Sequence, residues 1–171
     1  MANTYQLIEA KTLISDTASI SFTSIPQTYT DLQLLTSVRI DRAGVSVNMG
    51  LSFNSSSSNY TNLMFYGDGT NLGTNTSVAL NQFGYWYSPA NGATASTFSN
   101  ASVYIPNYTS ANYKSVSIDS TSENNGTDTN TVLFAGLWSD TAAITTITLS
   151  NYQGSNLRSG STAYLYGIKN S

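Results

Sequence analysis

Hydrophobic and polar positions alternate along most of the chain. In "VSVNMGLSF", Val45, Val47, Met49, Leu51 and Phe53 alternate with Ser46, Asn48, Gly50 and Ser52. A period of two sends successive side chains to opposite faces of a sheet, so this segment predicts a strand with one buried face. "ASISF" repeats the pattern, with Ala18, Ile20 and Phe22 inward. "YKSVSID" puts Val116 and Ile118 on one face, and "TTITL" does the same with Ile147 and Leu149. In "TAYLYGIK", Tyr164, Tyr166 and Ile168 alternate with Ala163, Leu165 and Gly167. Two denser runs, "DLQLLTSVRI" (31–40) and "TVLFAGLW" (131–138), read as strands covered on both faces, where alternation is lost.

Turn chemistry separates these runs: "DRAG" (41–44), "NSSSSN" (54–59), "GDGTN" (67–71), "SPANG" (88–92), "ENNGTD" (123–128) and "NYQGSN" (151–156). The 54–62 stretch reads as a loop between strands. No segment keeps a helical period over three turns; "DTAAI" (140–144) offers one helical turn at most. Ten or so short strands without alternating helices predict an all-β fold, a single-domain β-sandwich over residues 1–171. A jelly-roll-like topology suits this many strands and two long loops, and periodicity leaves an immunoglobulin-like or other Greek-key arrangement open beside it. Residues 1–10 are candidates for an arm that adds a strand to a neighbouring subunit.

Composition narrows the function. Charged residues are 9% of the chain, against about 25% in ordinary domains. The net charge is −3, and of the six basic residues only Arg39 and Arg42 are close in sequence. Nucleic-acid binding needs a basic stripe that neutralises phosphates, so neither nucleic acid nor an anionic membrane is an expected partner. The chain has no Cys and no His. Disulfides, thiolate nucleophiles, Cys/His zinc sites and His-based triads are thereby excluded. The opening "MANTYQLIEAKTLISD" lacks the apolar run of a signal peptide, and no run is long enough to span a bilayer. Synthesis in a cytoplasm without export is the expectation.

Candidate chemistry is sparse. The nine carboxylates fall mostly in turn segments, where Asp caps or makes Asx-turns, and no catalytic pair is indicated. Asp119, Glu123 and Asp128 gather in "DSTSENNGTD" and offer oxygen ligands for Ca²⁺, but the spacing is not that of an EF-hand. A polar β-turn with Gly126 at positive φ is the simpler reading, and Asp68 in "GDGTN" has the same standing. The N-x-[ST] matches at Asn54, Asn59, Asn75, Asn100, Asn107 and Asn125 are expected by chance in so Asn- and Ser-rich a chain. No catalytic residue, metal or cofactor is predicted.

"NQFGYWYSPANG" (81–92) is the aromatic exception, with Tyr60 and Tyr66 just upstream. On a regular strand Phe83, Tyr85 and Tyr87 face one way and Trp86 the other. Core packing, a subunit interface and a sugar-stacking platform are all open to these six rings. Partly core and partly oligomer interface is the working expectation, with 60–69 and 81–92 as loops to search for glycan contacts.

Several blocks carry a resemblance: "SFTSIPQTYTDLQLLTSVR" (21–39), "TASTFSNASVYIPNYTSANYKSVSID" (94–119), "AGLWSDTAAITTITL" (135–149) and "AYLYGIKNS" (163–171). Together they resemble small β-rich virion structural proteins of tailed bacteriophages of aquatic bacteria, including cyanophages. The resemblance implies a non-enzymatic protein located on the virion, and it carries no catalytic motif. A capsid decoration or cement protein is the role it implies first, as a homo-oligomer, with a trimer expected, contacting the major capsid protein or other virion proteins. A tail-fibre or receptor-binding module recognising host surface glycans is the alternative.

Overall fold

The computed structural model describes residues 4–126 and 128–169, without the side chains of Ala79 and Tyr85. Among the described residues, fourteen strands follow one another: β1 (Tyr5–Thr12), β2 (Ser19–Phe22), β3 (Asp31–Val38), β4 (Ile40–Asp41), β5 (Ser46–Phe53), β6 (Tyr60–Gly67), β7 (Leu72–Leu80), β8 (Phe83–Pro89), β9 (Ser99–Ile105), β10 (Lys114–Ser122), β11 (Asn130–Trp138), β12 (Ile147–Asn151), β13 (Asn156–Leu157) and β14 (Thr162–Ile168). The segment 140–144 forms no helical turn.

Set aside the two-residue strands and the hairpins β6–β7 and β10–β11, and the other strands pair as a nested series. β1 pairs with β14, β2 with β12, β3 with β9, and β5 with β8, all antiparallel. First pairs with last and the innermost two pair with each other, as in a long hairpin rolled over on itself. The rolled strands lie in two sheets, β1-β14-β3-β9 and β2-β12-β5-β8. That is the jelly roll, two packed antiparallel sheets. Hairpin β6–β7 is inserted between β5 and β8, and β10–β11 between β9 and β12. Both extend the first sheet beyond β9, in the order β10-β11-β6-β7, so it has eight strands and its partner four.

The alternating segments bury most of the faces expected of them: Ile20 and Phe22, Val47 to Phe53, Val116 and Ile118, Ile147 and Leu149 all enter one core. Ala18 and Val45, each just before its strand begins, are exposed instead, because the second layer does not reach them. The dense runs behave differently from expectation. β3 and β11 alternate too, burying Leu32, Leu34 and Val38, and Val132, Phe134 and Trp138, with Leu35 and Leu133 facing out. Only one face of the eight-stranded sheet meets the second sheet, so the apolar residues on the other face stay in the open.

Residues 5–10 of the expected arm belong to β1 and pair on one side with β14 of their own sheet. Residues 1–3 lie outside the described residues. Positive φ in the 123–128 turn falls on Asn125 (54°) rather than on Gly126. Among the described residues, no helix is long and apolar enough to cross a membrane.

Candidate interaction surface

The aromatic cluster resolves first. Phe83 and Trp86 on β8 and Tyr60 on β6 are all buried. The Phe83 ring meets Tyr60 at 4.9 Å, Phe53 at 5.6 Å and Phe134 at 5.8 Å, each edge to face. Trp86 also meets Phe134, and Trp138 stacks on Tyr60. Edge-to-face pairs align positive ring edges with negative faces and add about 0.5–1.5 kcal/mol each beyond burial. β8 thus packs over the inserted strands and fastens them to the roll.

A bulge explains why Phe83 and Trp86 share a face despite odd spacing. Met49 pairs with Trp86 and Gly50 with Gly84, leaving Tyr85 as the extra residue of the strand. One inserted residue inverts the parity of everything beyond it. Gly136 fits this packing because it has no side chain: a Cβ there would lie 2.5 Å from the Phe83 ring. The Tyr60 hydroxyl accepts from the Phe53 amide at 2.8 Å, and burial raises its pKa above the ordinary value.

The interface expectation is corrected accordingly for Phe83, Trp86 and Tyr60, whose interior position leaves no ring face for a partner or a sugar. Tyr66 and Tyr87 are half-buried at the rim and pack against the core. Burial first, then the nearby Tyr66, Asp128 and Asp68, raises the Tyr87 pKa. The Tyr85 side chain lies outside the described residues. The segments 60–69 and 81–92, read as loops for glycan, are largely strands β6 and β8.

The exposed apolar surface lies on the other side of the same hairpins. Phe65 (54% exposed) stands opposite Leu133 (58%) on the outer face of β6 and β11. Leu72 (93%) and Val78 (75%) flank them on β7. One open groove of 530 Å³ runs between Phe65, Leu72 and Leu133, and a second of 360 Å³ between Leu63, Val78 and Leu137. A contiguous apolar patch on a domain surface marks a place of association. The sequence signal for it was the dense run at 131–138, whose second apolar face has no covering layer.

The acidic turns hold their own backbone. Asp68 accepts the amides of Thr70 and Asn71 at 2.9 and 2.6 Å, and these bonds lower its pKa. Glu123 accepts from the Thr129 hydroxyl and from the Asn125 amide at 2.6 Å, with its pKa lowered in that order of cause. Among the described residues, no group of three acidic side chains is arranged to hold a metal ion.

At one end of the sandwich, buried Arg39 serves as a cationic knot. Its guanidinium donates to the carbonyls of Ala90, Ala93, Thr94 and Thr97 at 2.7–3.1 Å, gathering the 90–98 loop around itself. Burial, and then Arg158, lowers its pKa. Arg158 donates to Asn91 Oδ1 at 2.6 Å and stands 3.6 Å from Asp41. A polar pocket of 460 Å³ opens beside them, lined by Asn91, Ser96, Phe98 and the two arginines. No protein-family model and no curated protein matches the chain.

Proposed function

We propose that this is a non-enzymatic structural protein of a bacteriophage virion, a decoration or cement protein that stabilises the shell by protein–protein contacts. The observation that carries the reading is the apolar outer face of the inserted hairpins, built from Leu63, Phe65, Leu72, Val78 and Leu133. A rigid jelly roll presents this face on strands, where its geometry is fixed before contact. The neutral Ser-, Thr- and Asn-rich remainder desolvates at little electrostatic cost when packed against neighbours. The resemblance of four sequence blocks to phage virion proteins supports the same role. The partners are further copies of the chain and the major capsid protein; the reading requires no cofactor.

Cryo-electron microscopy of intact particles, with copy number from gel densitometry, tests it. Hundreds of copies spread over the shell are expected. A few copies confined to the tail would sink the cement role.

One observation favours the second reading, a tail module for host glycans: the pocket that sets Arg158, Asn91 and Ser96 beside the Phe98 ring. Donors next to an aromatic ring are what a sugar with an acidic group requires. Under that reading Arg158→Ala abolishes binding on a glycan array, and under the first reading no glycan binds.

A further inference from the structure

We propose that two copies of this chain join edge to edge through β7, antiparallel about a two-fold axis at Asn75, making one continuous sheet across the dimer. The inference deepens the assembly reading above and rests on it only in treating the outer face as an interface.

β7 ends the eight-stranded sheet, so one side of its backbone has no strand partner among the described residues. Such an edge is a template for another strand unless something blocks it. The opposite edge, β1, is blocked: Glu9 and Lys11 form an ion pair at 3.1 Å, and a bulge interrupts the strand between Leu7 and Glu9. β7 carries neither charge nor proline from Leu72 to Leu80, and its ladder with β6 is regular from Leu72 to Ser77, the register shifting only beyond Ser77.

The sequence of β7 selects the register. Directly opposed residues in an antiparallel pair point to the same face. An axis at Asn75 sets Leu72 opposite the partner's Val78 and Thr74 opposite the partner's Thr76. Both members of the first pair are apolar, exposed and on the outer face, beside the grooves. An axis at Thr74 would put Leu72 against Thr76. An axis at Thr76 would put it against Leu80, which packs inward because a bulge lies between them. The chosen register also lays the Leu63–Val78 groove of one copy beside the Phe65–Leu72–Leu133 groove of the other.

Charge favours a second copy as the occupant. The strands β6, β7 and β11 contain no charged residue, so like meets like without repulsion in a chain of net charge −3. The nearest acid, Asp68, sits at the level of Asn71, with which it is hydrogen-bonded. Four residues either side of the axis, at about 3.3 Å each, keep the two Asp68 side chains on the order of 25 Å apart. That is well beyond a screening length of about 8 Å at physiological salt. The contact is isologous and closes on itself, leaving no β7 edge free. A two-fold unit therefore takes the place of the expected trimer.

The absence of cysteine makes the test clean, since Asn75→Cys carries the sole thiol. Opposed Cα atoms about 4.5–5.5 Å apart fall within disulfide reach of about 4.4–6.8 Å. Sedimentation equilibrium of the wild-type chain is expected to show a dimer, and mild oxidation of Asn75→Cys to convert nearly all of it to a covalent dimer. Ser102→Cys, on the outer face of β9, is expected to give none. Thr74→Lys with Thr76→Lys should weaken dimerisation at least 100-fold with an unchanged circular dichroism spectrum. A wild-type monomer at millimolar concentration, or a dimer in which Asn75→Cys does not cross-link, overturns the inference. A monomer that still decorates the shell would leave the assembly role standing and remove only the β7 contact. A cross-linked dimer absent from particles would do the reverse.

Discussion

The two ends of the eight-stranded sheet obey one rule on the inside and different rules on the outside. Inside, both are sealed by large apolar side chains: Leu32, Leu34 and Val103 at the jelly-roll end, Met64, Phe134 and Trp138 at the hairpin end. Outside, the jelly-roll end exposes Tyr5, Leu7 and Leu35 among polar groups that are paired within the chain. Gln33 donates to Ser102 at 3.0 Å, and Tyr104 donates to Asp31 at 2.8 Å. The hairpin end instead presents Phe65, Leu72, Val78 and Leu133 to solvent. Burial against the second sheet constrains inward residues wherever they fall. The outer face is free of that constraint, so its polarity reports what the surface meets next. A mixed face beside a blocked edge suits water; an apolar face beside an unblocked edge suits another protein.

Removing a ring from the junction should break the comparison most severely. Phe83→Ala deletes the contacts to Phe53, Tyr60 and Phe134. It is expected to cost about 3–5 kcal/mol in chemical denaturation. Amide exchange should accelerate in β6 and β11 before β3 and β9, because only the hairpin end depends on that ring. Trp86→Ala is expected to act in the same direction.

Gly136→Ala should have a smaller effect from the same place. Its Cβ would sit 2.5 Å from Phe83, and overpacking of this kind costs about 1–3 kcal/mol, read as a lowered Tm. A variant as stable as wild type would show that β8 yields more easily than a fastened junction allows.

Outer-face changes should separate stability from association. Phe65→Ser and Leu133→Ser are expected to shift stability by less than about 0.5 kcal/mol while reducing self-association in sedimentation. Leu35→Ser, exposed at the jelly-roll end, should leave both unchanged. Equal effects at the two ends would erase the distinction between them.

The smallest effect concerns the β6–β7 turn. Asp68 has a lowered folded pKa, so its contribution is present above the ordinary value of 3.8 and fades as pH falls through the lower folded value. The Thr70 and Asn71 amide resonances should shift together in that acid window, with a small fall in global stability. Asp68→Asn should remove the titration.

Much of this architecture was legible along the chain. Period-two patterning located β2, β5, β10 and β12 with most of the faces that are buried, and β14 as a strand, because a strand's parity is a local property. The failures share one cause. Phe83 and Trp86 were set on opposite faces because a bulge, invisible to periodicity, inverts parity at Tyr85. β3 and β11 looked doubly covered because an apolar residue facing solvent and one facing a core have the same letter. The candidate surface went unseen for that reason, although Leu133 and Phe65 stood in plain view.

The sequence alone determined that this chain is an all-β sandwich without cysteine or histidine chemistry, since composition and alternation are intrinsic to it. Tertiary structure decided which apolar face is inside. That choice depends on which strands lie under the second sheet, and nested pairing across more than a hundred residues sets it. The same pairing left β7 at the rim of the eight-stranded sheet and β1 guarded, so the open edge of that sheet is a consequence of topology rather than of any local motif.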